Sequence, residues 1–142
     1  MTFIAWNDRL IIGVPVIDQD HKRLIGMLNE LYDAIARGDG QSLVGDLLTR
    51  LEFYTQDHFQ REEALFAPTP YPHAAKHRRQ HAWMQSKIAA MQASWRKDSL
   101  RAPSLELVGL LKDWLFDHIL VSDQQLVPYL LGAPLPSTQL SS

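Results

Sequence analysis

Apolar residues recur every three or four positions along four stretches of the chain, and polar residues fill the positions between them. This spacing predicts amphipathic helices. The first three span residues 19–37, 41–66 and 73–97, and the fourth opens near Ser104. No stretch alternates apolar and polar residues over a strand's length, so no strand is predicted. Similar lengths and short connections favour an all-α, up-down-up-down four-helix bundle.

Glycine and proline mark the ends of these segments. Gly38-Asp39-Gly40 ends the first helix, and a loop containing three prolines separates the second from the third. Asp18 is a candidate N-cap for the first helix. We therefore expect an extended N-terminal arm (1–18), the bundle (19–131) and a flexible C-terminal tail (132–142).

Composition excludes several classes of protein. The chain has 142 residues, enough for one domain with a sizeable core. A formal net charge of -2 offers no basic surface for nucleic acid or for an acidic membrane. The absence of cysteine rules out disulfides and thiolate metal ligands. The start, MTFIAWNDRL, does not resemble a signal peptide, and no membrane span is predicted, so we expect a cytoplasmic protein.

Seven polar residues lie on the predicted apolar faces of the helices, where an isolated imidazole or carboxylate is costly to bury. They are His21, His58, Glu62, His77, His81, His118 and Asp123. Residues four apart share a helix face, so two of the helices can each present two donors to one site. His118 and Asp123 are five apart, which requires either a site between their two directions or a local bulge in the helix.

A shared metal centre would resolve the cost of burying these groups. A single HxxxH pair is more often a chance surface pair, but here all four predicted helices contribute a donor. Nitrogen and oxygen ligands without sulfur suit iron, manganese, zinc or copper. Seven donors are too many for one ion, whereas two ions bridged by both carboxylates would keep about one position open. Dioxygen could bind there.

The chain resembles the hemerythrin family, and within it the single-domain bacteriohemerythrins, from about residue 4 to residue 123. The resemblance is carried by Trp6-Asn7-Asp8, Ile17-Asp18, His21-Lys22, His58-Phe59, Glu62-Glu63, Tyr71-Pro72, His77, His81, Trp114-Leu115, His118-Ile119 and Asp123. It implies a four-helix bundle with two iron ions, joined by an oxo or hydroxo bridge, that binds dioxygen reversibly. It also implies the roles of the ligands: His77, His81 and His118 on one iron, His21 and His58 on the iron with the open position, and Glu62 and Asp123 as bridges.

Three positions depart from the family's usual pattern. Asp20 stands where a glutamine commonly precedes the first histidine, Phe66 replaces a methionine, and Leu126 replaces a tyrosine. Together with Trp114, which lies one turn before His118, these residues are candidates for the second shell and the oxygen pocket. Glu63 is expected on the solvated surface, because it points about 100° away from Glu62 on a helix.

We expect an oxygen-binding protein, for storage, delivery or sensing, rather than an enzyme. One alternative is a di-iron enzyme that reduces peroxide or nitric oxide. Such centres in ferritin-like bundles are rich in carboxylates, whereas this set is rich in histidine. A second alternative is an iron-handling or redox-signalling module that acts through a separate protein partner.

Overall fold

The computed structural model describes residues 6–100 and 102–130, and its regular elements there are all helical. The four main helices are α1 (Pro15–Ala36), α2 (Gln41–Phe66), α3 (Ala74–Lys97) and α4 (Leu105–Asp117). A π-helical segment (His118–Asp123) and α5 (Gln124–Leu130) prolong α4, and a short 3-10 turn (Asp8–Leu10) precedes α1. The predicted all-α class is confirmed.

The first helix begins earlier than the sequence pattern indicated. Its first residue is Pro15, whose fixed φ and missing N–H suit the first helical position. Asp18 is therefore not the N-cap. Its carboxylate accepts hydrogen bonds from the backbone N–H of Ile12 (2.8 Å) and of Gly13 (3.0 Å), and so ties the preceding segment to α1. The predicted tail, 132–142, and the first five residues of the predicted arm lie outside the described residues.

The helix connections follow the local sequence. At the end of α1, Gly38 adopts a positive φ of 70°. The N–H groups of Gly38 and Asp39 bond to the carbonyls of Ile35 and Ala34, which satisfies two carbonyls at the helix end. At the start of α4, the Ser104 side chain accepts a hydrogen bond from Leu107 N–H, as an N-cap residue does.

The bundle has the predicted topology: α1 packs against α2 and α4, and α2 packs against α3. Leucine, isoleucine and valine side chains from all four helices fill the core. Far from the histidines, α2 and α3 approach closely at Gly45, where a Cβ atom would lie 2.8 Å from Nε1 of Trp95. No helix among the described residues is long and apolar enough to cross a membrane.

Candidate metal centre

The seven predicted polar residues meet in one buried cluster inside the bundle. Each side chain belongs to a residue that is at most 4% exposed. The cluster draws on all four helical segments: His21 from α1, His58 and Glu62 from α2, His77 and His81 from α3, and His118 and Asp123 from the π-helical segment. The structure therefore brings together all seven residues that the sequence singled out.

Glu62 lies at the centre and directs its two oxygens to opposite sides. Its Oε1 atom is 2.7 Å from Nε2 of His77 and 2.9 Å from Nε2 of His81. The same oxygen is 3.8 Å from Nε2 of His118. Its Oε2 atom instead faces Nε2 of His58, at 3.6 Å. One carboxylate thus touches a group of three histidines with one oxygen and a second group with the other.

Asp123 repeats this arrangement from the opposite wall of the cluster. Its Oδ1 atom is 3.0 Å from Nε2 of His77 and 3.2 Å from Nε2 of His118. Its Oδ2 atom is 3.0 Å from Nε2 of His21. The two carboxylates therefore both link the three-histidine side (His77, His81, His118) to the two-histidine side (His21, His58).

The π-helical segment explains how His118 and Asp123 reach the same centre. A π-helical turn takes in more residues than an α-helical one, so residues five apart return to one face. The segment runs from His118 to Asp123, and both side chains are buried in the cluster. Of the two explanations left open by the sequence, the local bulge is therefore correct.

The charges within the cluster are mutually dependent. Burial raises the pKa of both carboxyl groups, but the surrounding histidines outweigh burial and hold each pKa well below its usual range. Burial lowers the pKa of His118, whereas Asp123 and Glu62 more than offset this and raise it to about 9. Two ionised carboxylates in this interior therefore require positive charge close to them.

The donor atoms also fit metal ions better than they fit one another. Within the described residues, several buried donor atoms at the centre form no aligned hydrogen bond, although their neighbours lie close. They are Nε2 of His21, Nε2 of His58, Oε2 of Glu62 and both oxygens of Asp123. Lone pairs directed at a common point, rather than at a partner atom, are what coordination of a cation requires. Two groups of donors lie close enough to hold an ion, and Glu62 belongs to both.

On the two-histidine side, Asp20 holds the outer nitrogen of His58. Its Oδ2 atom is 2.9 Å from Nδ1 of His58, and since an ionised carboxylate can only accept, Nδ1–H donates. Asp20 also accepts two hydrogen bonds from Arg61, at 2.9 and 3.0 Å, and one from Tyr54 at 2.7 Å. Burial raises the pKa of Asp20, but hydrogen bonds from His58, Arg61 and Tyr54 bring it far below its ordinary value.

On the three-histidine side, two outer contacts had not been predicted. The prediction that Glu63 is solvated surface is wrong: its side chain is 30% exposed, and its Oε2 accepts a hydrogen bond from Nδ1 of His81 at 2.7 Å. The rotation that turns Glu63 away from Glu62 points it at α3. The Tyr71 hydroxyl lies 3.1 Å from Nδ1 of His77; Tyr71 was part of the family resemblance, but no role at the site was predicted for it.

Aromatic and aliphatic side chains enclose the polar centre. Phe59 stacks on His81, with ring centroids 3.9 Å apart, and Trp114 stacks on His118 at 4.6 Å. Phe66 is tilted against His77 at 5.3 Å. Leu126 is fully buried in a small cluster with Phe66 and Tyr71. The four residues that the sequence singled out around the site, Asp20, Phe66, Trp114 and Leu126, all lie in or beside its enclosure.

Fold and cluster together define a class: four-helix-bundle proteins with a histidine- and carboxylate-lined metal-binding core. Residues 12–130 match the family profile described as the hemerythrin HHE cation binding domain. The chain belongs to the hemerythrin family.

Relatives and solved structures agree with this assignment. A bacteriohemerythrin of Stenotrophomonas maltophilia is 37% identical over 125 residues, which cover 87% of this chain and 79% of that protein. One of Pseudomonas aeruginosa is 32% identical over 119 residues, 84% of this chain and 76% of that protein. A wild-type hemerythrin crystal structure superposes with a TM-score of 0.83 at 26% identity, covering 90% of this chain and 98% of that one. The resemblance seen in the sequence is confirmed.

Proposed function

We propose that the protein binds dioxygen reversibly at a non-haem di-iron centre. His77, His81 and His118 would hold one iron ion, and His21 and His58 would hold the other. Glu62 and Asp123 would bridge the two ions, together with an oxo or hydroxo group. The single observation that carries the proposal is the asymmetry of the cluster: both carboxylates contact both sides, but one side has three histidines and the other has two. An ion held on the two-histidine side would have one protein ligand fewer and so would have room for a small ligand.

Such a di-iron pair supplies two electrons to dioxygen on binding and takes them back on release. The protein's contribution begins with the protons on the histidine rings. Asp20 holds a proton on Nδ1 of His58, and Glu63 holds one on Nδ1 of His81. Each ring is thereby fixed in the tautomer whose Nε2 lone pair faces the centre.

The surroundings favour reversible binding because they exclude water. Phe59, Phe66 and Leu126 are at most 1% exposed and form part of the apolar enclosure. An enclosure of this kind would keep water and anions away from a metal pair held by the cluster. In this proposal the apolar residues maintain the oxygen-binding state, and the polar residues position the ligands.

The test is to measure the iron content and the optical spectrum of the purified protein, before and after exposure to air and to dithionite. We expect two iron ions per chain and a visible charge-transfer band that appears on oxygenation and disappears when oxygen is removed. One zinc ion per chain without reversible colour would refute the proposal. Rapid turnover of peroxide or nitric oxide with a reductant would instead favour the enzyme alternative.

A further inference from the structure

Two tryptophans connect the metal-binding cluster to the protein surface. Trp114 stacks on the cluster residue His118, with centroids 4.6 Å apart and ring planes 10° apart. Trp83 in turn stacks on Trp114, with ring centroids 6.0 Å apart and ring planes 19° apart. Exposure rises outward along the series, from 4% at His118 to 38% at Trp83. Three nearly parallel rings thus lead from a buried candidate metal ligand, His118, to the protein surface.

We propose that the Trp83–Trp114–His118 stack is the path by which electrons enter the centre and restore oxidised iron. This inference rests on the proposed di-iron function. Each step transfers one electron from a donor at Trp83, so the donor is oxidised by one electron and one ferric ion becomes ferrous. Two such steps, with two donor molecules, return both ions to the ferrous state that can bind dioxygen again.

The geometry of the stack favours it over a second aromatic series among the described residues. A second series runs from His77 through Tyr71 to Tyr129. Its ring centroids are 5.8 and 5.5 Å apart, similar to the 6.0 Å between Trp83 and Trp114, but its rings meet at 69° and 55° rather than in parallel. Electronic coupling between π systems is strongest when their faces overlap and weakens steeply with separation. The nearly parallel tryptophan series therefore provides the better-coupled path, and Tyr129 offers a control.

Charge on α3 indicates the kind of donor that Trp83 would meet. Lys76 and Arg79 precede Trp83 and Lys87 follows it, at successive spacings of three, four and four, so all four exposed residues share one face of the helix. The Lys87 ammonium lies 5.4 Å from the centre of the Trp83 ring. The sequence of α3 contains no acidic residue. On α4, the exposed Asp113 carboxylate lies 3.3 Å from Lys112, and the exposed Asp117 lines the recess beside Trp114, so the positive charge is confined to the α3 face around Trp83. This face favours an anionic partner, and we assign the donor to the class of small acidic one-electron carrier proteins.

A recess beside the stack offers small molecules a second route to His118. It has a volume of about 320 Å3, and Gln80, Trp114 and His118 contribute to its lining. A small reductant such as dithionite can enter this recess and approach His118 without contacting Trp83. A protein donor is too large to do so. The two kinds of donor therefore distinguish the surface path from direct access.

The experiment mixes the oxidised, iron-loaded protein with reduced flavodoxin, an acidic flavin protein, and follows the loss of the ferric absorption by stopped flow. We expect Trp83→Leu to slow this reduction several-fold, and Trp83→Phe to slow it less. Reduction by dithionite should be unchanged.

Trp6→Leu is the matched control. A lysine also lies over the Trp6 ring, with Lys22 Nζ 5.3 Å from the ring centre, but Trp6 lies outside the stack. Tyr129→Leu should likewise leave the rate unchanged. Added salt should slow reduction by flavodoxin.

Two further measurements separate this path from a structural role of Trp83. Iron content and midpoint potential should be equal in Trp83→Leu and the wild type. Loading with ferric iron should quench tryptophan fluorescence more than loading with zinc, and Trp83→Leu, but not Trp6→Leu, should reduce that excess. Equal rates for Trp83→Leu and the wild type with flavodoxin, while both hold two irons and bind oxygen, would overturn the path and leave the proposed function intact. A protein that binds no iron would overturn both.

Discussion

The two sides of the metal-binding cluster are supported in different ways. On the two-histidine side, His58 is held by Asp20, a buried carboxylate that is itself fixed by Arg61 and Tyr54. On the three-histidine side, His81 is held by the partly exposed Glu63, and His77 lies beside the neutral hydroxyl of Tyr71. One side combines few ligands with a strong charged network, and the other combines more ligands with weaker outer contacts.

Under the proposed function, this difference means that the ligands on the two sides are positioned in different ways. An ion held by two histidines would keep a position open, so the orientation of each remaining ligand would matter more. The charged network fixes His58, whereas Nδ1 of His21 has no hydrogen-bond partner among the described residues. The ion with three histidines is fixed by the number of its ligands. Asp20, which departs from the family's usual glutamine, adds a formal charge on the side where positioning matters most.

The largest effect is expected from Glu62→Ala, because it removes a carboxylate that both sides share. Both metal ions should be lost, and the free energy of unfolding should fall by at least about 3 kcal/mol, since buried charges lose their partner. Elemental analysis and chemical denaturation measure the two quantities. Glu52→Ala, on the same helix but outside the cluster, is the control and should retain its metal. His118→Ala, like Glu62→Ala, should lose iron. If either cluster variant retained two irons, our ligand assignment would be wrong.

A smaller and one-sided effect is expected from Asp20→Asn. The amide keeps the shape of the side chain but removes the charge that supports His58, so metal affinity on the two-histidine side should fall about 10–100-fold. The three-histidine side should change less. Mössbauer spectra of iron-57-loaded protein resolve the two ions, and Asp33→Asn on the same helix serves as the control. Equal loss at both ions would contradict the proposal that Asp20 supports the two-histidine side alone.

Glu63→Gln tests the three-histidine side with a matched removal of charge. Glutamine can still accept a hydrogen bond from His81, and Glu63 is partly solvated, so metal affinity should fall by about tenfold, the lower end of the range for such partners. Competition with a chelator of known affinity measures the change. The comparison between the sides fails if Glu63→Gln weakens binding more than Asp20→Asn does.

The smallest effect is expected from Tyr71→Phe. This change removes one neutral hydrogen-bonding group beside His77 and keeps the aromatic ring in the small cluster with Phe66 and Leu126. The cost should be about 1 kcal/mol of stability in the metal-loaded protein, with both ions retained. Thermal unfolding with parallel iron analysis measures this cost, and loss of one ion would show that Tyr71 has a larger role than a single hydrogen bond.

The local properties of the chain made most of the fold predictable. The bounds of α2 match the prediction, and α3 and α4 begin within one residue of it. Periodicity, proline and capping residues act over a few positions, so they can be read from the sequence. The start of α1 was misplaced because Asp18 resembles an N-cap, whereas its carboxylate bonds backward to the preceding turn.

The sequence by itself determined the four helices, the seven inward polar residues and the membership of the hemerythrin family. Only the tertiary structure decided which oxygen of Glu62 and Asp123 faces which histidine, that a π-helical segment brings Asp123 to the centre, and that Glu63 bonds to His81. The physical reason is one of range. Helix formation and the direction of a side chain around its own helix depend on near neighbours, whereas contacts such as Glu63 with His81 or Trp83 with Trp114 depend on how two helices are rotated and offset against each other.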